Sequence, residues 1–146
     1  YLAAVKGDFG LNKLLIDKAI GKDRHDAQKM RISDTGKLSQ TEVRLIKVVS
    51  SAQGQTQSLL LVNLLTGRKH QIRVHLSSLG FPLVGDVLYG GMSSLQCRTK
   101  RKHRPQSLML HAYRVGFIHP VTGAKIVIKT DIPRRFSNFG VLEKDL

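Results

Sequence analysis

The sequence predicts an α+β fold, a mainly antiparallel mixed sheet with flanking helices. Short runs rich in leucine and β-branched residues recur along the chain and are closed by Gly, Asp, Asn or Pro, as strands and turns are. Only the stretch after Thr66-Gly67 combines a helical spacing with suitable residues at both ends. An apolar share of 41% over 146 residues is enough for one real core. Residues 1–146 read as one unit with no internal repeat and no low-complexity tract.

Residues 1–6 (YLAAVK) read as a strand ended by Gly7-Asp8. Over residues 11–20, apolar side chains at 11, 14, 15 and 19 give a helical spacing, in a segment short enough to be extended instead. Residues 21–28 form a polar loop, and 29–33 a short strand before the turn Asp34-Thr35-Gly36-Lys37. Thr41, Val43, Ile46, Val48 and Val49 make residues 38–50 a long strand. A hairpin loop over 51–56 leads to a strand over 57–65 whose apolar run is too continuous for a sheet with one wet face.

Thr66 is a suitable helix N-cap and Gly80 a suitable C′ residue. On that helix Ile72, Leu76 and Leu79 share one face; His70, Arg73 and Ser77 share another. Residues 81–86 are a tight, partly buried connection in which Asp86 stabilises a turn. Residues 89–104 are a loop. Residues 108–118 and 124–130 are strands joined by the turn His119-Pro120-Val121-Thr122-Gly123. Pro133 starts a short C-terminal helix.

Charge narrows the partner. Lys and Arg total 24 against 10 acidic residues, a formal charge of +14, with pI near 10.4. On a small folded domain this points to a polyanion, with nucleic acid first and an anionic membrane second. No long basic amphipathic helix supports the membrane. The absence of Trp argues against a surface built mainly on stacked bases. A lone cysteine, Cys97, excludes an internal disulfide and fits a reducing compartment, so the cytoplasm is expected, with an organelle as alternative. The chain opens on Tyr1, within an apolar run, and reads as a piece of a longer protein.

The densest chemistry is TGRKHQIRVHL, Thr66 to Leu76. A helix N-terminus offers unpaired N–H groups and partial positive charge, both suited to a phosphate. Arg68 adds a full charge. For His70 and Gln71, capping or support of neighbours stands level with RNA contact. Arg73 suits a carboxylate or phosphate because its fork binds in two places; the plainer reading is a surface arginine. His75 is read as structural. The run RTKRKHR carries five formal positive charges in seven residues: Arg98, Lys100, Arg101, Lys102 and Arg104. Those side chains are assigned to RNA backbone contact rather than to a merely solvated charge run.

TGRKHQIRVHLSSLGFPLVGDVLYGG, over residues 66–91, closely resembles the RluA-type pseudouridine synthases. YLAAVKG at Tyr1, KMRIS with GKLSQT, and LMLHAYRVGFIHPVTG agree in order, so the resemblance covers nearly the whole chain. It implies part of a pseudouridine synthase catalytic domain acting on uridine in structured RNA, ribosomal or transfer; a monomer is expected. It implies no cofactor, nucleotide or metal, since a carboxylate, a tyrosine and an arginine can run an isomerisation.

Residue by residue, it implies that Arg73 orients a catalytic aspartate and that Tyr1 lines the base pocket. Thr66, Gly67, Arg68, His70 and Gln71 form the substrate rim, and Ile72 and Leu110 shield the base from water. Three departures stand out. The family's HRLD-type aspartate motif precedes the tyrosine strand and has no matching position here; Arg24-His25-Asp26 falls in the polar loop. Phe81 replaces a histidine common in relatives. The loop over 93–106 is unusually basic. The rival readings are a non-catalytic RNA-binding module of the same fold and a structural basic protein of a ribonucleoprotein. The 146 residues alone are expected to be inactive, and detectable isomerisation of uridine by the purified chain overturns that expectation.

Overall fold

The computed structural model describes residues 1–52, 54–90 and 107–146. Its centre is a five-stranded sheet with strand order β2-β5-β6-β1-β7. The strands are β1 Leu2–Lys6, β2 Lys13–Asp17, β5 Gln40–Ser50, β6 Thr56–Leu64 and β7 Leu110–His111. Every pairing among them is antiparallel, which bears out the predicted class. Two hairpins flank the sheet: β3 Ile20–Lys22 with β4 Met30–Ile32, and β8 Arg114–Ile118 with β9 Lys125–Lys129.

β1 and β6 are apolar at consecutive positions because the sheet is covered on both sides. Ala3, Val5, Leu60 and Val62 face one layer, together with Ile72 and Leu76 of helix α1, Gln71–Ser78. Leu2, Ala4 and Leu59 face the other, with Met109, Tyr113, Phe136 and Phe139. The last two lie on a 3-10 helix, Arg134–Phe139, with Pro133 at its N-cap and Gly140 in the left-handed region at its end. That helix was expected to begin with Pro133; it starts one residue later.

Residues 11–20 are not helical. They form β2 and the start of β3, because the exposed edge of β5 offers a ladder from Lys13↔Arg44 to Asp17↔Gln40. The apparent helical stripe buries little: Leu11 and Leu15 are about half exposed, and only Ile16 and Ile20 reach the core. Pairing overrides a marginal local preference. The polar loop begins later than expected, at residue 23, where Asp23 and Asp26 carboxylates accept from nearby amides. The strand expected over 108–118 is broken at Ala112-Tyr113, where buried Tyr113 turns into the second layer.

Helix α1 starts at Gln71 rather than after Thr66. His70 occupies the N-cap position with φ 57, left-handed for a non-glycine residue. The far end is as expected: Gly80 has φ 86, its amide donates to Ser77, and the Phe81 amide donates to Leu76. This is a Schellman ending. Phe81 packs edge-on against Phe9, with ring centres 5.1 Å apart.

Two glycines separate close approach from backbone freedom. A Cβ on Gly36 would lie 2.5 Å from the Ile20 carbonyl carbon, whereas Gly54 has φ 74 and nothing within 4 Å. Gly36→Ala should destabilise by roughly 1–3 kcal/mol through forced backbone displacement, and Gly54→Ala by about 1 kcal/mol through the left-handed conformation alone. Denaturant titration checks this; an unchanged midpoint for Gly36→Ala contradicts the close approach.

Candidate functional site

Helix α1 carries three stripes at i, i+4 spacing, each with a different task. Ile72 and Leu76 point into the core. Gln71 and His75 flank one side, over β5. Arg73 and Ser77 flank the other, over residues 86–89.

The first flank is a closed polar chain. Gln71 is 2% exposed and His75 fully buried. The His75 Nε2–H donates to the Lys18 carbonyl at 2.9 Å, leaving Nδ1 to accept from the Thr41 hydroxyl at 2.9 Å. That hydroxyl oxygen in turn accepts from Gln71 Nε2 at 2.9 Å. The other Nε2 proton goes to the Gln40 carbonyl, and Gln71 Oε1 accepts from the Thr66 hydroxyl and the Arg68 amide. Thr66 Oγ1 accepts from the Gln40 amide. Each donor has an acceptor, with one consistent set of proton positions.

This corrects the expected rim. Gln71 is a buried strut with both ends of its amide engaged, so it has no group left for RNA. Thr66 does not cap the helix; its hydroxyl ties the end of β6 to Gln71. Gly67, Arg68 and Lys69 are exposed, and Arg68 Nε donates to the Leu38 carbonyl at 3.2 Å. Ile72 is core at 4% exposure, and Leu110 packs on the same cluster.

The second flank holds the charge. Arg73 donates from Nε to Asp86 Oδ2 at 2.9 Å and from Nη2 to Asp86 Oδ1 at 2.8 Å, a two-point ion pair. The Asp86 side chain is 0% and that of Arg73 17% exposed. Asp86 Oδ1 also accepts from the amides of Leu88 and Tyr89, which makes it the turn-stabiliser expected. Burial alone would raise the Asp86 carboxyl, but the Arg73 hydrogen bond and those amides outweigh it and hold it below its ordinary range. The Asp86 hydrogen bond likewise raises the Arg73 pKa. Sequence reasoning did not see this pair, because nothing in the spacing from 73 to 86 shows that the loop folds back.

Tyr89 completes the cluster. The Arg73 guanidinium carbon lies 4.9 Å from its ring centre. Its hydroxyl accepts from the Met30 amide at 2.8 Å and lies 2.9 Å from His70 Nδ1. Among the described residues His70 Nδ1 is the acceptor within reach of the Tyr89 hydroxyl proton; with that bond made, the His70 proton sits on Nε2. Burial, then the Arg73 and Lys69 cations, lower the His70 pKa and keep the ring neutral. The left-handed His70 costs roughly 1–3 kcal/mol and persists because its surroundings fix it. Among the described residues, Arg73 Nη1 and the amides of Ile72 and Arg73 take no hydrogen bond.

Tyr1 lies elsewhere in contact terms. Its main chain exchanges hydrogen bonds with Val62, a residue of the α1-side cluster, so its register position shares the face carrying α1. It borders a groove of about 390 Å³ with Val62, Asn63, Tyr113, Arg114 and Lys129. Among the described residues, no hydrogen bond or ring contact joins Tyr1 to Arg73. Arg98, Lys100, Arg101, Lys102 and Arg104 lie outside the described residues. Among the described residues, no His, Cys, Asp or Glu side chains gather in threes for a metal ion.

The sequence pattern of the RNA pseudouridylate synthase family matches residues 1–78, a stretch that spans β1 to α1. The chain belongs to that family. It is 41% identical over 138 residues to a Bacillus subtilis protein described as uncharacterized RNA pseudouridine synthase YhcT, covering 94% of this chain and 42% of that one. Against ribosomal large subunit pseudouridine synthase D of Pseudomonas aeruginosa it is 35% identical over 128 residues, covering 83% and 38%. The structure of human RNA Pseudouridylate Synthase Domain Containing 1 agrees with a TM-score of 0.73 at 28% identity, over 94% of this chain and 55% of that one. These relatives bear out the RluA-type resemblance, and the chain spans about two fifths of the length of the curated relatives it matches.

Two stability tests follow from the flanks. The folded His75 pKa is depressed by burial from 6.5, so the unfolded chain binds the extra proton. Stability from this group is therefore full above about pH 6.5 and lost as pH falls through that value toward the depressed one; a denaturation midpoint flat from neutral to about pH 5 contradicts this. Thr41→Val leaves the His75 acceptor and a Gln71 donor unmatched and should cost roughly 1–3 kcal/mol at neutral pH, read by denaturant titration.

Proposed function

We propose that this chain supplies the arginine-bearing and base-lining part of an enzyme that isomerises uridine to pseudouridine in structured RNA, ribosomal or transfer. The reaction breaks the bond from C1′ to N1 of uracil and forms one from C1′ to C5. The C5 proton is lost and N1 gains one, so no atom or electron enters or leaves overall. No redox cofactor is called for. The base must leave its stack to be reached, which exposes it to a pocket wall.

The observation that carries this reading is the state of Arg73. Asp86 holds the guanidinium along one edge, and Nη1 remains without a partner among the described residues. The same helix start carries the amides of Ile72 and Arg73, unpaired among the described residues, and follows exposed Arg68 and Lys69. That is a preset cation with one edge available for a carboxylate or phosphate. The isomerase activity belongs to a polypeptide that also carries an HRLD-type aspartate. Tyr1 serves as the aromatic wall, with Ile72 and Leu110 in the apolar layer near it. We place it as a monomer in the cytoplasm, where a lone cysteine fits.

One observation favours a second reading, a non-catalytic RNA-binding module. Arg73 already has a full carboxylate partner in Asp86, as a purely structural arginine would. Arg73→Ala in the aspartate-bearing polypeptide discriminates. An isomerase should lose turnover by roughly a hundredfold or more while RNA affinity changes little. A binder loses affinity and has no turnover to lose. In either case RNA affinity should fall steeply as salt rises, measured by filter binding; a salt-independent affinity contradicts phosphate contact.

A further inference from the structure

Tyr89 has no part in the reaction as outlined, and it lies beyond the stretch that matches the family pattern. Yet it is tied into the site at both ends. Its amide donates to Asp86 Oδ1 at 3.0 Å, and its carbonyl accepts from the Ser77 hydroxyl at 3.0 Å. Its ring lies against the Arg73 guanidinium, and its hydroxyl joins the Met30 amide to His70 Nδ1.

We propose that Tyr89 is a positioning residue for the uridine isomerisation, setting the Arg73 guanidinium and the His70 ring together. The inference rests on the functional reading of Arg73 given above. Two parallel hydrogen bonds donated to Asp86 fix the Arg73 guanidinium within its own plane, but they permit it to tilt out of that plane. The Tyr89 ring, whose centre lies 4.9 Å from the guanidinium carbon, stands in the way of that tilt. Asp86 therefore sets one direction and Tyr89 the other, and the Nη1 edge is left aimed.

The hydroxyl performs a second task. The Met30 amide donates to its oxygen, and among the described residues His70 Nδ1 is the acceptor within reach of its proton. That holds the His70 ring against rotation and leaves its own proton on Nε2. Met30 is in β4, so the hairpin β3–β4 braces the tyrosine hydroxyl through the Met30 amide. His70 is the one non-glycine residue with positive φ among the described residues. It sits where this brace acts. Packing alone would need a ring here but no hydroxyl, which makes the two roles separable.

The test uses the aspartate-bearing polypeptide with the substitutions Tyr89→Phe and Tyr89→Leu. Tyr89→Leu should lower kcat about tenfold with KM within about twofold, and Tyr89→Phe about threefold, since the ring remains. On an Arg73→Ala background, Tyr89→Leu should cost only about the threefold that Tyr89→Phe costs, because there is no guanidinium left to set and only the hydroxyl contact to His70 remains to be lost. An equal proportional loss on both backgrounds, or a change in KM alone, overturns the proposal. A second readout is independent of turnover: the Arg73 Nε–H proton resonance. It should carry a ring-induced shift in the wild type and in Tyr89→Phe and lose it in Tyr89→Leu; an unchanged resonance in Tyr89→Leu overturns the positioning role. If the wild-type polypeptide isomerises no uridine, the functional reading fails, and the resonance still decides whether Tyr89 sets the guanidinium.

Discussion

The rotation of one short helix about its axis decides where the charge of this protein stands. Gln71 and His75 are locked to β5 and Lys18 through Thr41 and Gln40, with every donor of the two side chains matched. Ile72 and Leu76 are buried in the core one position further round. With two stripes fixed, the third has only one place to go, and Arg73 arrives beside Asp86. A buried amide left unmatched is costly, so the helix cannot roll without breaking several hydrogen bonds at once. The positioning of Arg73 is thus enforced from the far side of the helix, by residues that never approach it.

The sheet beneath supplies the second constraint. β1 lies between β6 and β7 and is sealed on both faces, which is why its small residues Ala3 and Ala4 have no exposure at all. Their small size lets both layers approach closely. The residue at the head of that strand, Tyr1, inherits a fixed register from the Val62 pairing. The family match, running through residue 78, takes in β1, β6 and α1 together. The frame that holds Tyr1 and Arg73 lies within the stretch that matches the RNA pseudouridylate synthase family.

Local signals were readable where one physical preference acted alone. The continuous apolar run of β6 announced a sheet covered twice. The glycine at 80 announced the helix end, and Gly123 the turn between β8 and β9. Residues 11–20 misled because a weak helical spacing competed with an available strand edge, and the edge supplied hydrogen bonds that a marginal helix could not match. The helix start misled for a related reason. Thr66 has the chemistry of a cap, but its hydroxyl is drawn to Gln71 and Gln40 once β5 is alongside.

By itself the sequence determined the class of fold, the family through TGRKHQIRVH and its companion segments, and the grouping of Arg73 with His70 and Ser77 on one side of a helix. Periodicity and motif order carry that information, and both are properties of neighbours along the chain. Only the tertiary structure decided that Gln71 is a strut, that Asp86 grips Arg73, and that Tyr89 joins Met30 to His70. Those outcomes depend on which distant groups arrive at hydrogen-bonding distance. No spacing encodes them, because they follow from the packing of a returning loop against a helix already fixed in rotation.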